Sequence, residues 1–209
     1  WKQLFANHSF RDPDKALRLA TAFVQGPGFG HISARTVEFA RQLLARLLAL
    51  CPRKDKPPAS PALDHPDGDP AAKRLSDPDR VLARLDSFIA AYGARALLFE
   101  TWAANPSLFE LLVLLFDRSE FLAESAIRTP DLVDALAQSG RLRQSKTAEQ
   151  ILKELRHGRP DEDQRLWLRR YHQAELMRIG LRDILGLADY EQSLVELSAL
   201  ADACLQYAL

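Results

Sequence analysis

Four times outside residues 52–76 of this sequence, an Asp, Asn or Thr that can cap a helix stands directly before a proline. Proline is favoured at the first helical position because its missing N–H would have no partner there and its φ is already helical. Ser33 and Thr147 are capping residues without a proline, and Asp189 with Gln192 three residues later is a variant of the capping box. The chain thus marks most of its own helix starts, and the proline pairs are Asp12-Pro13, Asp77-Pro78, Asn105-Pro106 and Thr129-Pro130.

Between these starts, apolar residues recur with the helical period, whereas the alternation and hairpin signals of strands are absent. We therefore predict an all-α fold, a multi-helix bundle with a proline-rich mobile loop. The run LFELLVLLF at 108–116 predicts that Leu112 lies in the core. The predicted helices lie near residues 12–25, 33–51, 77–92, 94–104, 106–116, 119–127, 130–138, 147–156, 161–185 and 189–208.

A stretch rich in proline, aspartate and lysine divides the helical pattern. Such a composition offers little apolar surface to offset the entropy lost on ordering, so it predicts a mobile linker. The predicted organisation is a helical pair at 1–51, a linker at 52–76 and a helical bundle at 77–209. Because the chain opens on Trp1 and ends inside a helical pattern, we expect it to be a segment of a longer protein.

The composition argues against several classes of partner. Lys plus Arg equals Asp plus Glu, 28 of each, so no net field favours nucleic acid or an anionic membrane. No apolar run approaches the ~20 residues of a membrane span. Cys51 and Cys204 lack the spacing of metal or redox pairs, so we expect two free thiols and a cytoplasmic protein.

No pattern in the sequence predicts catalytic, cofactor-binding or metal-binding residues. The five histidines are scattered without a ligand partner at the right spacing. The stretch GPGFG at 26–30 follows no strand, so we interpret it as a turn between helices and not a phosphate loop. The stretch DHPDGDP at 64–70 lacks the final glutamate of a calcium loop and is interpreted as solvated linker.

The helix predicted at 161–185 carries apolar residues on two sides, so it is expected to be central. It also carries charges, and two interpretations of them stay open. In the first interpretation, the charged residues form ion pairs inside the bundle. In the second, the planar guanidinium groups of the arginines bind an adjoining domain. Pairing is favoured for Arg178 with Glu175, and docking for Arg182. The candidate inter-domain contact residues are Arg169, Arg170, Arg178, Arg182 and Asp183.

Three stretches of the chain have a familiar order. Residues 168–209, LRRYHQAELMRIGLRDILGLADYEQSLVELSALADACLQYAL, resemble the segment that leads into the nucleotidyltransferase domain of glutamine synthetase adenylyltransferases. Residues 100–136 are similar to a helical stretch of that family with an Asn-Pro helix start. Residues 10–27 are similar to its inter-domain region. The resemblance therefore covers nearly the whole chain outside 52–76.

The resemblance implies a parent enzyme that attaches AMP to glutamine synthetase and removes it again. It implies an adjoining catalytic domain, with an Asp-x-Asp pair for Mg²⁺ and ATP, that is not in this chain. It also implies glutamine synthetase and the PII signal protein as partners, and a non-catalytic helical segment here. Two alternatives remain: a stand-alone helical protein–protein interaction module, and a helical enzyme using Arg178, Arg182 and Asp183 around a phosphate.

Overall fold

A computed structural model describes residues 5–26, 28, 32–54, 74–133, 141–158 and 163–209 of the chain. These residues form helices and connecting turns without a β-sheet, and only an isolated bridge joins His8 to Arg53. The predicted all-α class is confirmed. The α-helices are α1 (Pro13–Gln25), α2 (Ala34–Leu50), α3 (Pro78–Tyr92), α4 (Arg95–Ala104), α5 (Pro106–Arg118), α6 (Glu120–Arg128), α7 (Ala148–Arg156), α8 (Gln164–Ile184) and α9 (Tyr190–Ala208), with a 3₁₀ turn at Arg141–Arg143 before α7.

Most of the predicted helix starts are confirmed by the capping bonds. Asp12 and Asp77 accept hydrogen bonds from the first turns of α1 and α3, with proline in the first turn of each helix. Ser33 caps α2 in the same way. Thr147 and Asp189 form complete capping boxes on α7 and α9.

Two predicted starts have a different outcome. α5 begins at Pro106 as expected, but the Asn105 side chain makes no capping bond, so that part of the prediction is wrong. The fixed φ of proline is enough to start the helix there. Of the helix predicted at 130–138, residues 131–133 are helical and 134–140 lie outside the described residues.

The chain divides into two compact units, residues 1–123 and 124–209, which we call unit 1 and unit 2. This division differs from the predicted one at 52–76, because α1 and α2 pack on α3, α4 and α5 within unit 1. The predicted mobile loop lies largely outside the described residues, and so does the stretch at 64–70. No single described helix has the length and apolar content of a membrane span. Among the described helices, α4 and α5 reach these values only when they are taken together, and the chain bends by 109° between them.

Unit 1 is built around α5, whose residues from Leu111 to Asp117 are all buried. A chain of aromatic contacts runs through the same core, from Phe23 and Phe99 through Trp102 to Phe88 and Phe116. Burial of such side chains is the main favourable contribution to folding. Leu112 is 0% exposed, which confirms its predicted place in the core.

The end of α5 is fastened to the start of α3 by a buried carboxylate. Asp117 accepts hydrogen bonds of 2.9 Å from the backbone N–H groups of Ser76 and Asp77 and from the Ser76 hydroxyl. Arg80 and Arg84 of α3 donate to the last carbonyls of α5, those of Asp117 and Phe116, at 2.7 and 2.6 Å. These bonds satisfy backbone groups that a helix end leaves unpaired.

Cys51, at the end of α2, is a buried free thiol that donates to the Leu47 carbonyl at 3.3 Å. Burial, with Asp117 and Asp79 nearby, raises its pKa from 9.0 to about 12. Cys204 in unit 2 is a free, half-buried thiol, which confirms the expectation of two free cysteines.

We expect Cys51 to be protected from alkylation, because the thiolate is the nucleophile and the folded chain disfavours it. Between about pH 9 and 12, Cys51 should react with iodoacetamide far more slowly in the folded than in the urea-unfolded chain, as measured by mass spectrometry. Because the pKa of Cys51 is higher in the folded chain, the protonated thiol stabilises the fold at pH values below the pKa of the unfolded chain. This contribution is lost as the pH rises from 9.0 to about 12. Equal rates in both states would contradict the burial of Cys51.

Unit 2 packs α9 against α7 and α8, with the 3₁₀ turn against α8. Its core comprises Ile151, Leu155, Tyr171, Ile179, Leu200 and Ala203. α8 ends in a Schellman turn at Gly186, whose φ of 65° favours glycine. There the Leu187 N–H donates to the Arg182 carbonyl at 2.8 Å. This turn returns the chain so that α9 can pack on α8.

Candidate functional site

The most concentrated set of charged side chains in the described residues lies inside unit 2. Three cations and three carboxylates from four segments meet there and balance one another. Arg178 and Arg182 come from α8, and Glu196 comes from the packed face of α9. The full set, which we call the ion network, is Lys146, Glu154, Glu175, Arg178, Arg182 and Glu196.

Arg178 is the centre of the ion network and is 0% exposed. Its Nε donates to Glu175 Oε2 at 2.7 Å, and one terminal nitrogen donates to Glu196 Oε1 at 2.8 Å. Its other terminal nitrogen donates to the Gln144 carbonyl at 2.8 Å. Burial disfavours the charged guanidinium, but Glu175 and Glu196 outweigh this and raise the pKa of Arg178. The guanidinium fork therefore joins α8, α9 and the segment before α7.

Arg182, one turn further along α8, is buried against the same carboxylate. Its Nε lies 3.0 Å from Glu196 Oε2. Neither atom has a hydrogen-bond partner, so this contact is an ion pair without hydrogen-bond alignment. Its NH1 donates to the Leu142 carbonyl in the 3₁₀ turn at 3.0 Å. The structure thus favours internal pairing for both arginines, including Arg182, for which docking was expected.

The other side of the ion network is held by a lysine. Lys146 Nζ lies 2.6 Å from Glu175 Oε1 and 2.7 Å from Glu154 Oε2. Its backbone N–H donates to Glu196 Oε1 at 2.8 Å. Tyr171 donates its hydroxyl to Glu154 at 2.7 Å, and burial together with this bond raises the pKa of Tyr171, so the phenol stays protonated. Every carboxylate of the network is thus within ion-pair distance of a cation.

The remaining predicted contact residues lie outside the ion network. Arg169, Arg170 and Asp183 are exposed. Asp183 accepts a hydrogen bond from the Ser193 hydroxyl at 3.4 Å. Their contact with an adjoining domain stays a prediction.

Sequence reasoning missed Lys146, Glu154 and Glu196. For Glu196 the signal depends on knowing which face of α9 is packed, and only the structure shows that it shares the buried face with Ser193, Leu200 and Ala203. A carboxylate on a packed helix face requires a buried cation. Lys146 left none, since it lies in an irregular segment just before the Thr147 cap.

The arrangement is suited to holding helices together and not to binding Mg²⁺. Mg²⁺ is held by carboxylate oxygens that face water or phosphate. Here the clustered carboxylates are each compensated by Lys146, Arg178 or Arg182. Among the described residues, no group of three or more His, Cys, Asp and Glu side chains is placed to hold a metal ion. The carboxylates of the ion network therefore do not fit a Mg²⁺–ATP site.

Known proteins similar to this chain share one description. Over 102 residues, 47% of the chain, it is 36% identical to the bifunctional glutamine synthetase adenylyltransferase/adenylyl-removing enzyme of Nitrosococcus oceani, covering 10% of that protein. The protein of the same name from Thioalkalivibrio sulfidiphilus is 25% identical over 213 residues, 99% of this chain and 20% of the relative. That from Shewanella loihica is 32% identical over 101 residues, 47% of this chain and 11% of the relative.

The chain spans only 10–20% of the length of these relatives. A family model described as glutamate-ammonia ligase adenylyltransferase matches residues 109–209. That span holds most of α5 and the whole ion network. Over residues 109–209, the chain is therefore similar to the glutamate-ammonia ligase adenylyltransferase family, in agreement with the description that these relatives share.

Proposed function

We propose that this chain is a non-catalytic helical segment of an enzyme that transfers AMP from ATP to glutamine synthetase and removes it again. The observation that carries the proposal is the family match over residues 109–209. Relatives much longer than this chain leave room for a nucleotidyltransferase domain elsewhere in the protein. We place ATP and Mg²⁺ in that domain, with glutamine synthetase as acceptor and the PII protein as a regulatory partner.

The ion network supports a structural role for the segment. Transfer of AMP needs Mg²⁺ and carboxylates able to bind it. In unit 2 the clustered carboxylates are already compensated, and Arg178 is held by two of them. A guanidinium held in this way is not available to grip a substrate phosphate, which argues against the alternative of an enzyme built on Arg178 and Arg182.

The same bonds suit a rigid scaffold. Arg178, Arg182 and Lys146 together connect α7, α8, α9 and the 3₁₀ turn through hydrogen bonds or ion pairs of 3.0 Å or less. Buried charged groups with several partners fix one arrangement of the elements that carry them. In our proposal, unit 2 keeps these helices in a fixed arrangement beside the catalytic domain.

We expect the 209-residue chain to transfer no AMP, whereas the full-length protein does. Both would be incubated with purified glutamine synthetase, Mg²⁺ and ATP labelled at the α-phosphate, and label on glutamine synthetase would be counted. The full-length protein should label its target and then remove the label under the reverse conditions. Label transferred by the 209-residue chain would overturn the non-catalytic role, and no transfer by the full-length protein would overturn the enzyme assignment.

A further inference from the structure

α9 has a second face that the fold of unit 2 does not cover. Its apolar positions follow spacings of four, three, four, four and three residues, which place them on one side of a helix. The four large side chains on this side are between 38% and 74% exposed, and the two alanines are exposed as well. We call this face the α9 stripe, formed by Tyr190, Leu194, Leu197, Ala201, Leu205 and Ala208.

The α9 stripe is distinct from the face that packs in unit 2. The packed face carries Ser193, Glu196, Leu200 and Ala203, and it lies about a third of a turn from the stripe. The stripe runs about 27 Å along the helix, at 1.5 Å per residue. A continuous apolar strip of this length is typical of a helix that packs against another helix.

The charges beside the stripe indicate what kind of surface it fits. α9 contains no lysine or arginine. Its exposed charged residues are Glu191 and Asp202, and the exposed Asp189 precedes the helix. Complementary charge along an interface favours the right partner, whereas like charges placed together disfavour the wrong one.

We propose that the α9 stripe is a docking surface for an apolar helix edged with lysine or arginine on a partner protein. A second copy of α9 would bring acidic edges together. Helices that lie on membranes carry basic residues on their polar face, which α9 lacks. This proposal goes beyond AMP transfer and does not depend on it.

The test uses two fluorescent helical peptides and the intact 209-residue chain. Both peptides carry the same leucine and alanine stripe, one edged with lysine and the other with glutamate at the same positions. Fluorescence anisotropy should show the lysine peptide binding at least about tenfold more tightly, with an affinity that falls as salt rises. Equal binding of the two peptides, or no binding of either, would overturn the proposal.

Variants of the chain place the binding on the stripe. The double change Leu194→Gln and Leu205→Gln should weaken binding of the lysine peptide by about tenfold or more. Val195→Gln is the matched control, because Val195 is 68% exposed but about a third of a turn from the stripe. All of these side chains are exposed, so circular dichroism should show unchanged folding. An equal loss in the Val195 variant would overturn the assignment to the stripe.

Two further measurements distinguish other occupants. Analytical ultracentrifugation of the chain alone should show no dimer that disappears in the Leu194 and Leu205 double variant. Flotation with phosphatidylcholine vesicles containing phosphatidylserine should leave the chain unbound. A stripe-dependent dimer or stripe-dependent vesicle binding would overturn the proposal. Because neither these assays nor the peptide assay involves nucleotide transfer, their failure leaves the proposed function intact.

Discussion

Replacing Arg178 by methionine is expected to cost unit 2 about 3–5 kcal/mol of unfolding free energy, the usual result of removing one partner from a buried ion pair. Methionine fills much of the volume of the arginine stem, so the loss arises mainly from charge. Glu175 and Glu196 would stay buried after losing bonds of 2.7 and 2.8 Å. The Gln144 carbonyl would lose its donor as well. Glu175 keeps Lys146 and Glu196 keeps Arg182 as neighbouring cations, but the buried network is left with one more carboxylate than it has cations, and that excess buried charge is costly.

The matched control for Arg178→Met is Arg169→Met, on the same helix but at an exposed position. The control should change the unfolding free energy by less than about 0.5 kcal/mol. Because the chain has two compact units, hydrogen exchange of the α8 and α9 amides in unit 2 is the suitable measurement. A loss below about 1 kcal/mol for Arg178→Met would contradict the buried position of the guanidinium.

A double variant tests whether the pair itself carries the effect. Adding Glu196→Gln to Arg178→Met replaces the carboxylate in excess by a neutral amide, so the double change should cost less than the sum of the single changes. Contacting residues typically show such coupling at about 0.5–3 kcal/mol. Arg182 lies 3.0 Å from Glu196 Oε2 and also loses its partner, which limits the recovery. Strict additivity would place Arg178 and Glu196 too far apart to interact.

The features that the sequence predicted correctly depend on short stretches of chain. A capping bond joins residues three apart, as Asp12 with Lys15 and Thr147 with Gln150 show, so the sequence alone carries the information. The pair of Arg178 with Glu175 is equally local, at i and i+3 on α8. The Asn105 cap was the exception, since proline at the next position starts α5 without it.

The features that could not be predicted depend on how distant segments pack. Arg182 was expected to face another domain because it lies near the end of α8, but the turn at Gly186 brings Glu196 of α9 against it. Lys146 reaches Glu175 across 29 residues, and no spacing rule connects them. The division into two units is likewise set by the packing of α1 and α2 on α3, α4 and α5, and not by the composition of the stretch between α2 and α3.

The orientation of α9 is a further feature that the sequence alone does not predict. Its sequence predicts a helix with apolar residues on more than one side, but not which side is packed. In the structure, the packed side carries Glu196, whose carboxylate meets Arg178 and Arg182, together with the core residues Leu200 and Ala203, and the α9 stripe is exposed.

Leu112→Ala is expected to destabilise unit 1 by about 2–5 kcal/mol, the range for truncating a fully buried leucine. Leu112 is 0% exposed in the middle of α5, which is buried on almost every side. Three other helices of unit 1 pack on α5, namely α2, α3 and α4. A cavity there is lined by elements that are each held in place elsewhere, as α3 is through Asp117, so it cannot close easily.

The control for Leu112→Ala is Leu97→Ala in α4 of the same unit, where the leucine is 57% exposed. Both changes remove the same atoms from side chains in a helix, so helix propensity is altered equally and burial is the difference. Hydrogen exchange of the α5 amides should show the full loss for Leu112→Ala and less than about 1 kcal/mol for Leu97→Ala. Similar small losses in both variants would place α5 at a surface of unit 1 instead of at its centre. Truncating a leucine is costly only where the side chain is buried, because packing contacts and apolar burial are both lost there.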